Sequence, residues 1–432
     1  MHNLRTPPLK YKQSRQGSNF CRLPKLLLAI GPFLNIHAYA SDWPQFLGPT
    51  RTGVYDGADL SEQWPKDGPP QRWQKKVGAG FSGPAVSSGK LIVFHRLDNK
   101  EMIESLDARS GQVLWSFNYP TTYRDDFGFD EGPRATPAID QDRVYTYGAE
   151  GSLHCLDLQS GKKIWNIDTK AEFHAGKGFF GIACSPLVEG SLVILNVGGR
   201  DGAGIVAFDK ATGKVLWKTT EDEASYSSPI VATLEGRRCA LVLTRDRLVG
   251  LEPSNGKLLF QFPFRPPISS SVSAAVPLVI GDKLFLSASY GTGAALLQIK
   301  ANSLQKIWES DAAISAHYAT PVYHKGFLYG IHGRVDPGYD PSLRCIELES
   351  GKLMWEQKLS AATITLAGDV LLILTERGEL IRAAASPTGF KETARAQILP
   401  NQVRAHPALA NGLLYARSKD KLICVDLGKK RD

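Results

Sequence analysis

The chain has 432 residues, of which 43% are hydrophobic and 22% charged, a balance that excludes a disordered polymer. With 41 Gly and 26 Pro against 3 Met, the composition favours short strands joined by tight turns. The formal net charge of +8 would suit a nucleic-acid binder, but six of the basic residues (Arg5, Lys10, Lys12, Arg15, Arg22 and Lys25) fall in residues 1–40, which hold no acid. The remainder carries no basic footprint for DNA or RNA.

Residues 1–40 have the three parts of a secretory signal. A basic segment ends at Lys25, an apolar stretch runs from Leu26 to about Ile36, and Ala38-Tyr39-Ala40 supplies a small-x-small cleavage site. The apolar stretch is shorter than the ~20 residues a membrane span requires. Cys21 precedes it and Ser41 follows the cleavage site, so no lipid anchor is expected. The expected location is therefore the periplasm or the medium, as a monomer. Residues 41–71 read as an extension packed on the main domain, which spans residues 72–432.

One pattern organises that domain: an acid, a turn ending in Gly, and an aromatic residue eight positions after the acid. It occurs as Asp107, Gly111, Trp115; as Asp157, Gly161, Trp165; as Asp209, Gly213, Trp217; and as Glu252, Gly256, Phe260. A weaker copy has Lys300, Leu304 and Trp308, and a good one Glu347, Gly351 and Trp355. The aromatics are 43 to 52 residues apart, with no helical pattern between them, which is a propeller period. The acid is expected to accept hydrogen bonds from turn amides two or three residues on, and the Gly to supply positive φ. The tryptophans are expected to pack between blades.

Two strands precede each copy. One begins at a small-residue-Pro step (Gly83-Pro84, Thr136-Pro137, Ser185-Pro186, Ser228-Pro229, Val276-Pro277, Thr320-Pro321, His406-Pro407), and the other is a continuous apolar run such as Leu192-Val193-Ile194-Leu195. Continuous runs mean burial on both faces, as in sheets stacked face to face. Seven such steps, plus a decayed segment from Ala362 to Leu399, predict an all-β propeller of eight four-stranded antiparallel blades, with seven as the alternative. The last blade lacks a fourth strand, and the Trp73 strand (Arg72 to Val77) is expected to supply it, leaving no open sheet edge. Cys155, Cys345 and Cys424 stand at equivalent repeat positions, too far apart for disulfides, and read as small buried hydrophobes.

These residues resemble the pyrroloquinoline-quinone (PQQ) repeat family of propellers from about Trp73 to Asp426. The opening Trp43-Pro44-Gln45-Phe46-Leu47-Gly48-Pro49, with Arg51 and Gly53, is similar to that of its exported bacterial group. The resemblance extends to the propeller subunit of the outer-membrane β-barrel assembly machine and to the quinoprotein dehydrogenases. Membership in the dehydrogenases would imply two adjacent cysteines beneath PQQ, a Ca²⁺ held by acidic and amide side chains, and an Asp base. No Cys-Cys pair exists in the chain.

Catalytic and metal-binding patterns are otherwise missing: there is no G-x-S-x-G, no H-E-x-x-H and no zinc-like pair of histidines. Asp125, Asp126, Asp130 and Glu131 form the densest acidic cluster, read here as a solvated loop. The candidate binding residues lie just before the Pro steps, at one mouth of the channel. They are Phe81, Arg134, Tyr226, His317, Tyr318 and Arg404, with Tyr290 on a nearby Gly-rich loop. Arginines among aromatics suit an anionic or saccharide ligand, or a protein partner. The same arginines would serve equally well bonded to loop carbonyls. The long loops 119–134 and Asp168 to Phe180 add further aromatics on the same face. The expected function is non-catalytic binding of a protein or small ligand, without cofactor, nucleic acid or metal. A PQQ- and Ca²⁺-dependent oxidoreductase is the alternative.

Overall fold

The computed structural model describes residues 42–57, 59–269, 271–300, 303–334 and 339–429. The signal segment lies outside the described residues. Among the described residues eight four-stranded antiparallel blades follow one another around a ring, one of them extended by a short parallel fifth strand. Blade 1 runs from Ala85–Ser87 to Val113–Pro120, and blade 2 from Ala138–Asp140 to Lys163–Asp168. Blades 3 to 6 begin at Leu187–Glu189, Ile230–Leu234, Leu278–Ile280 and Val322–His324. The decayed segment is a true blade, the seventh, from Ala362–Ala367 to Glu392–Gln397. Blade 8 takes three strands from the end of the chain (Ala408–Ala410, Leu413–Arg417, Lys421–Asp426) and its outer strand, Gln71–Lys76, from near the start. That strand pairs antiparallel with Lys421–Asp426, setting Trp73 opposite Cys424.

Second strands such as Leu192–Asn196 are buried along their whole length, because neighbouring blades cover both faces. Outer strands alternate instead, as the rim meets solvent on one side. The one helix among the described residues, Thr169–Phe173, departs from the all-strand expectation; Asp168 caps it by accepting from the amides of Lys170 and Ala171.

The repeated motif fastens blade to blade at six of the eight junctions among the described residues. Asp107 Oδ1 accepts from the Ser110 amide (2.8 Å), the Ser110 hydroxyl (2.8 Å) and the Arg109 amide (3.1 Å). These donors hold its carboxyl below the usual range. The Trp115 indole reaches across to blade 2, donating to Leu158 O at 2.9 Å. Trp73, Trp165, Trp217, Trp308 and Trp355 make the same bond to Ala108, Lys210, Pro253, Leu348 and Ser386 of the following blades. Each motif Gly is therefore required twice. Gly161 has φ of +69°, and a Cβ there would lie 2.5 Å from the Trp115 ring. Where Phe260 replaces Trp the N–H is lost, and the next blade's turn has lost its Gly as well (Leu304).

Cys155, Cys345 and Cys424 are buried free thiols, as are Cys184 and Cys239. Beside Cys155, His154 stacks on Tyr119 with ring centroids 4.2 Å apart. Burial, helped by Lys163, lowers its pKa to about 4. A folded pKa below the unfolded value of about 6.5 means stability that is present above pH 6.5 and lost as pH falls towards 4. Between pH 7 and 4.5 this residue should cost roughly 2–3 kcal/mol. Urea titrations at both pH values should show that loss in the wild type, and His154→Phe should remove it; an unchanged pH dependence would refute the assignment.

Candidate functional site

Each blade starts at its inner strand, which in seven of the eight follows directly on a Pro step. The links between blades therefore lie on one face of the ring (the upper), and the turns between first and second strands on the other (the lower). The extension crosses the lower face. Trp43 exchanges backbone hydrogen bonds with Val86 of blade 1 (2.9 and 2.8 Å), and Pro44 O accepts from the Ile139 amide of blade 2. Leu47 is buried in the apolar cluster of blades 4 and 5. Val54–Tyr55 then adds to blade 7 as a parallel strand beside Leu366 and Ala367.

Within this crossing Arg51 is 3% exposed. Its Nη1 donates to Pro229 O (2.9 Å) and Ser185 O (3.5 Å), its Nη2 to Pro186 O, and its Nε to Gln45 Oε1 (2.9 Å). Desolvation lowers its pKa to about 10.

The upper mouth opens into a cavity of about 200 Å³, and all seven sequence candidates line it: Phe81, Arg134, Tyr226, Tyr290, His317, Tyr318 and Arg404. Arg134 and Arg404 flank the Phe81 ring at 5.7 and 5.4 Å from its centroid. Both are also held from behind. Arg134 donates to Asp130 O and pairs with Asp125 at 3.5 Å, and Arg404 pairs with Glu376. Arg134 is thus bonded to a loop carbonyl and a carboxylate and Arg404 to a carboxylate, while both line the cavity. Tyr226 Oη accepts from the amides of Phe179 (2.7 Å) and Phe180 (2.9 Å), fixing that loop. Tyr290 Oη meets His317 Nε2 at 3.0 Å. Tyr318 Oη is buried without a hydrogen-bond partner among the described residues, as is Thr363 Oγ1.

Several lining residues escaped the sequence reading. Phe46 enters from the extension, and His406 stands beside it, its ring stacked on Trp43 and edge-on to Phe46. Thr136, Ser185, Ser228 and Thr320 also line the cavity. They are the small residues of the Pro steps themselves, a signal available in the sequence.

The acidic loop is not the solvated turn it resembles. Asp125 and Asp130 are buried because the loop folds around them. Asp125 accepts from the amides of Phe129 (2.8 Å) and Asp130 (3.0 Å), and Asp130 from that of Gly132 (2.7 Å). Asp126 and Glu131 stay outside and bind Lys177 and Arg124. This frame holds Phe127 and Phe129 exposed against Phe180, with Phe179 alongside Phe127. The four rings form an aromatic lip on the cavity.

The lining does not fit a calcium-bound quinone. It has no Asp, Glu, Asn or Gln to supply oxygen ligands, and no two of the cysteines adjoin. Among the described residues no group of three or more His, Cys, Asp or Glu could hold a metal, and no helix is long and apolar enough to cross a membrane.

A family profile described as "Outer membrane protein assembly factor BamB" matches residues 99–336. The chain belongs to this family. Its BamB relative from Bordetella pertussis is 24% identical over 346 residues, covering 77% of this chain and 83% of that one. The dehydrogenase subunit of the quinone alcohol dehydrogenase of Komagataeibacter europaeus is 30% identical, over only 31% of this chain and 19% of its own. Among solved structures, BamB from Moraxella catarrhalis superposes with a TM-score of 0.61 at 15% identity, covering 83% of this chain and 99% of that one. In sequence the likeness to BamB thus spans most of the ring, and the likeness to this dehydrogenase the length of about three blades.

Proposed function

We propose that this BamB-family chain is an exported, non-catalytic binding propeller that holds a partner protein at its upper mouth, in the manner of an assembly factor. The carrying observation is the aromatic lip. Phe127 and Phe129 are 55% and 46% exposed, yet they sit on a loop stiffened by buried carboxylates rather than on a mobile one. Rigid exposed aromatics beside a pocket with arginines have the composition of an interface hot spot. The name shared by its widely covered relatives supports the same class, and the signal-like leader suits work in the envelope. On this reading the protein works as a monomer in the periplasm or outside the cell. A quinone-dependent oxidation finds no oxygen-ligand set in the cavity to support it.

Affinity purification of the tagged protein from its native envelope tests this. The wild type should retain one envelope protein in near-stoichiometric amount, and Phe129→Ser with Phe180→Ser should reduce that at least tenfold while leaving the thermal midpoint within about 3 °C. Equal retention by both proteins, or no retained protein, would overturn the reading.

A further inference from the structure

The channel holds a buried positive charge with no negative partner. Every acceptor Arg51 reaches is neutral: the Gln45 side-chain amide and the carbonyls of Ser185, Pro186 and Pro229. No carboxylate pairs with it among the described residues. The contrast with Arg134 and Arg404 is sharp, since Asp125 and Glu376 neutralise those two. The electrostatic demand of the channel therefore comes from beneath the cavity rather than from its rim. Being buried, it is weakly screened by salt.

The cavity wall next to Arg51 offers donors and no strong acceptors. Ser185 Oγ accepts from the Thr136 amide (2.8 Å), and Ser228 Oγ from the Ser185 amide (2.9 Å). Each hydroxyl oxygen is thereby engaged as an acceptor, leaving its own proton to donate. Among the described residues neither proton meets a protein acceptor. Thr363 Oγ1 and Tyr318 Oη, also in the wall, are buried without partners among the described residues. A buried donor without an acceptor is costly, and here several converge on one cavity.

We infer that the cavity binds an oxyanion (a carboxylate, phosphate or sulfate) carried on an apolar body. The Ser185, Ser228 and Thr363 hydroxyls and Tyr318 Oη donate to the oxyanion. Arg51 supplies the opposite charge from one residue away, through Ser185 and Pro229. The apolar body lies against Phe81, Phe129 and Phe180, which lead out to the lip. The inference rests on the upper mouth being the binding face, and the anionic group is either that of a free small molecule or an acidic residue of the bound partner.

Calorimetric titration of the protein purified after export, with benzoate, phenyl phosphate and neutral benzyl alcohol, tests the charge requirement. At least one of the two anions should bind saturably and benzyl alcohol should not. The double variant Tyr318→Phe/Thr363→Val, which removes two hydroxyls that have no protein partner among the described residues, should weaken the anion about tenfold or more at unchanged thermal midpoint. Absence of anion binding, equal binding of benzyl alcohol, or undiminished binding by the double variant would each overturn the inference. Partner capture that persists without anion binding removes the anion site and leaves the proposed function standing. Anion binding with no partner captured does the reverse. Release of a captured partner by phenyl phosphate identifies the partner's own acidic group as the anion, and retention identifies a free one.

Discussion

Trp115→Ala is expected to destabilise the fold by about 3–5 kcal/mol, the cost of removing a large aromatic from a packed site. The Trp115 side chain lies between blades 1 and 2, 9% exposed, with its ring over Gly161 and its indole donating to Leu158 O. Truncation removes the ring and strands that carbonyl together. Gly161 cannot relax into the gap without giving up the positive φ of its turn. Trp165→Ala is the informative comparison, because Lys210 O keeps two other donors, Arg143 Nη1 and Tyr145 Oη, both at 3.0 Å. The two variants should differ by about 1 kcal/mol, the net worth of one hydrogen bond. Trp115→Phe, which imitates Phe260, should cost less than either truncation. Urea unfolding followed by far-UV circular dichroism reads all three. A loss below about 1 kcal/mol for Trp115→Ala would mean that the motif does not fasten the ring.

This fastening explains why so much of the fold is legible in the sequence. Asp107, Gly111 and Trp115 act within nine residues of chain, and the partner in the next blade is the same motif one repeat later. Spacing alone therefore carries the information. The closing strand is legible for a related reason, since Trp73 stands without preceding strands and blade 8 ends without a following one. Blade 7 lacks the motif but keeps its unbroken apolar strand, Val370–Thr375, which stacking on both sides demands.

The site divides differently. Phe81, Arg134, Tyr226, His317, Tyr318 and Arg404 are readable because each precedes a Pro step, and ring symmetry brings equivalent positions to one mouth. The hydroxyls of Ser185 and Ser228 are hidden by that same step, where a small residue before Pro has a sufficient local explanation. Asp125 is misread because its acceptors' work is visible only once the loop has curled around it. Arg51 and Phe46 follow no spacing rule. Arg51 bonds Ser185 and Pro229 across 134 and 178 residues of chain, and no periodicity relates a crossing segment to the blades it crosses.

Arg51 carries the other large effect. Arg51→Ala empties a buried position and strips the donor from the carbonyls of Pro186 and Pro229, so a loss of about 3–5 kcal/mol is expected. Arg51→Met should be far milder, at about 1 kcal/mol or less. It fills most of the volume, and it removes a cation whose burial is itself unfavourable. The sign follows from the pKa: lowered from 12.5 to about 10, the charged form is penalised by roughly 3 kcal/mol in the folded state, which offsets the lost hydrogen bonds. No carboxylate is left stranded by the change, unlike the removal of one member of an ion pair. Thermal and urea unfolding at pH 7 should therefore rank wild type and Arg51→Met close together, with Arg51→Ala well below. Equal losses for both variants would mean that the charge is compensated after all. The same pair separates structure from binding: benzoate or phenyl phosphate should raise the melting temperature of the wild type, and the rise should vanish in Arg51→Met, whose cavity keeps its shape but has lost the charge that draws the anion in.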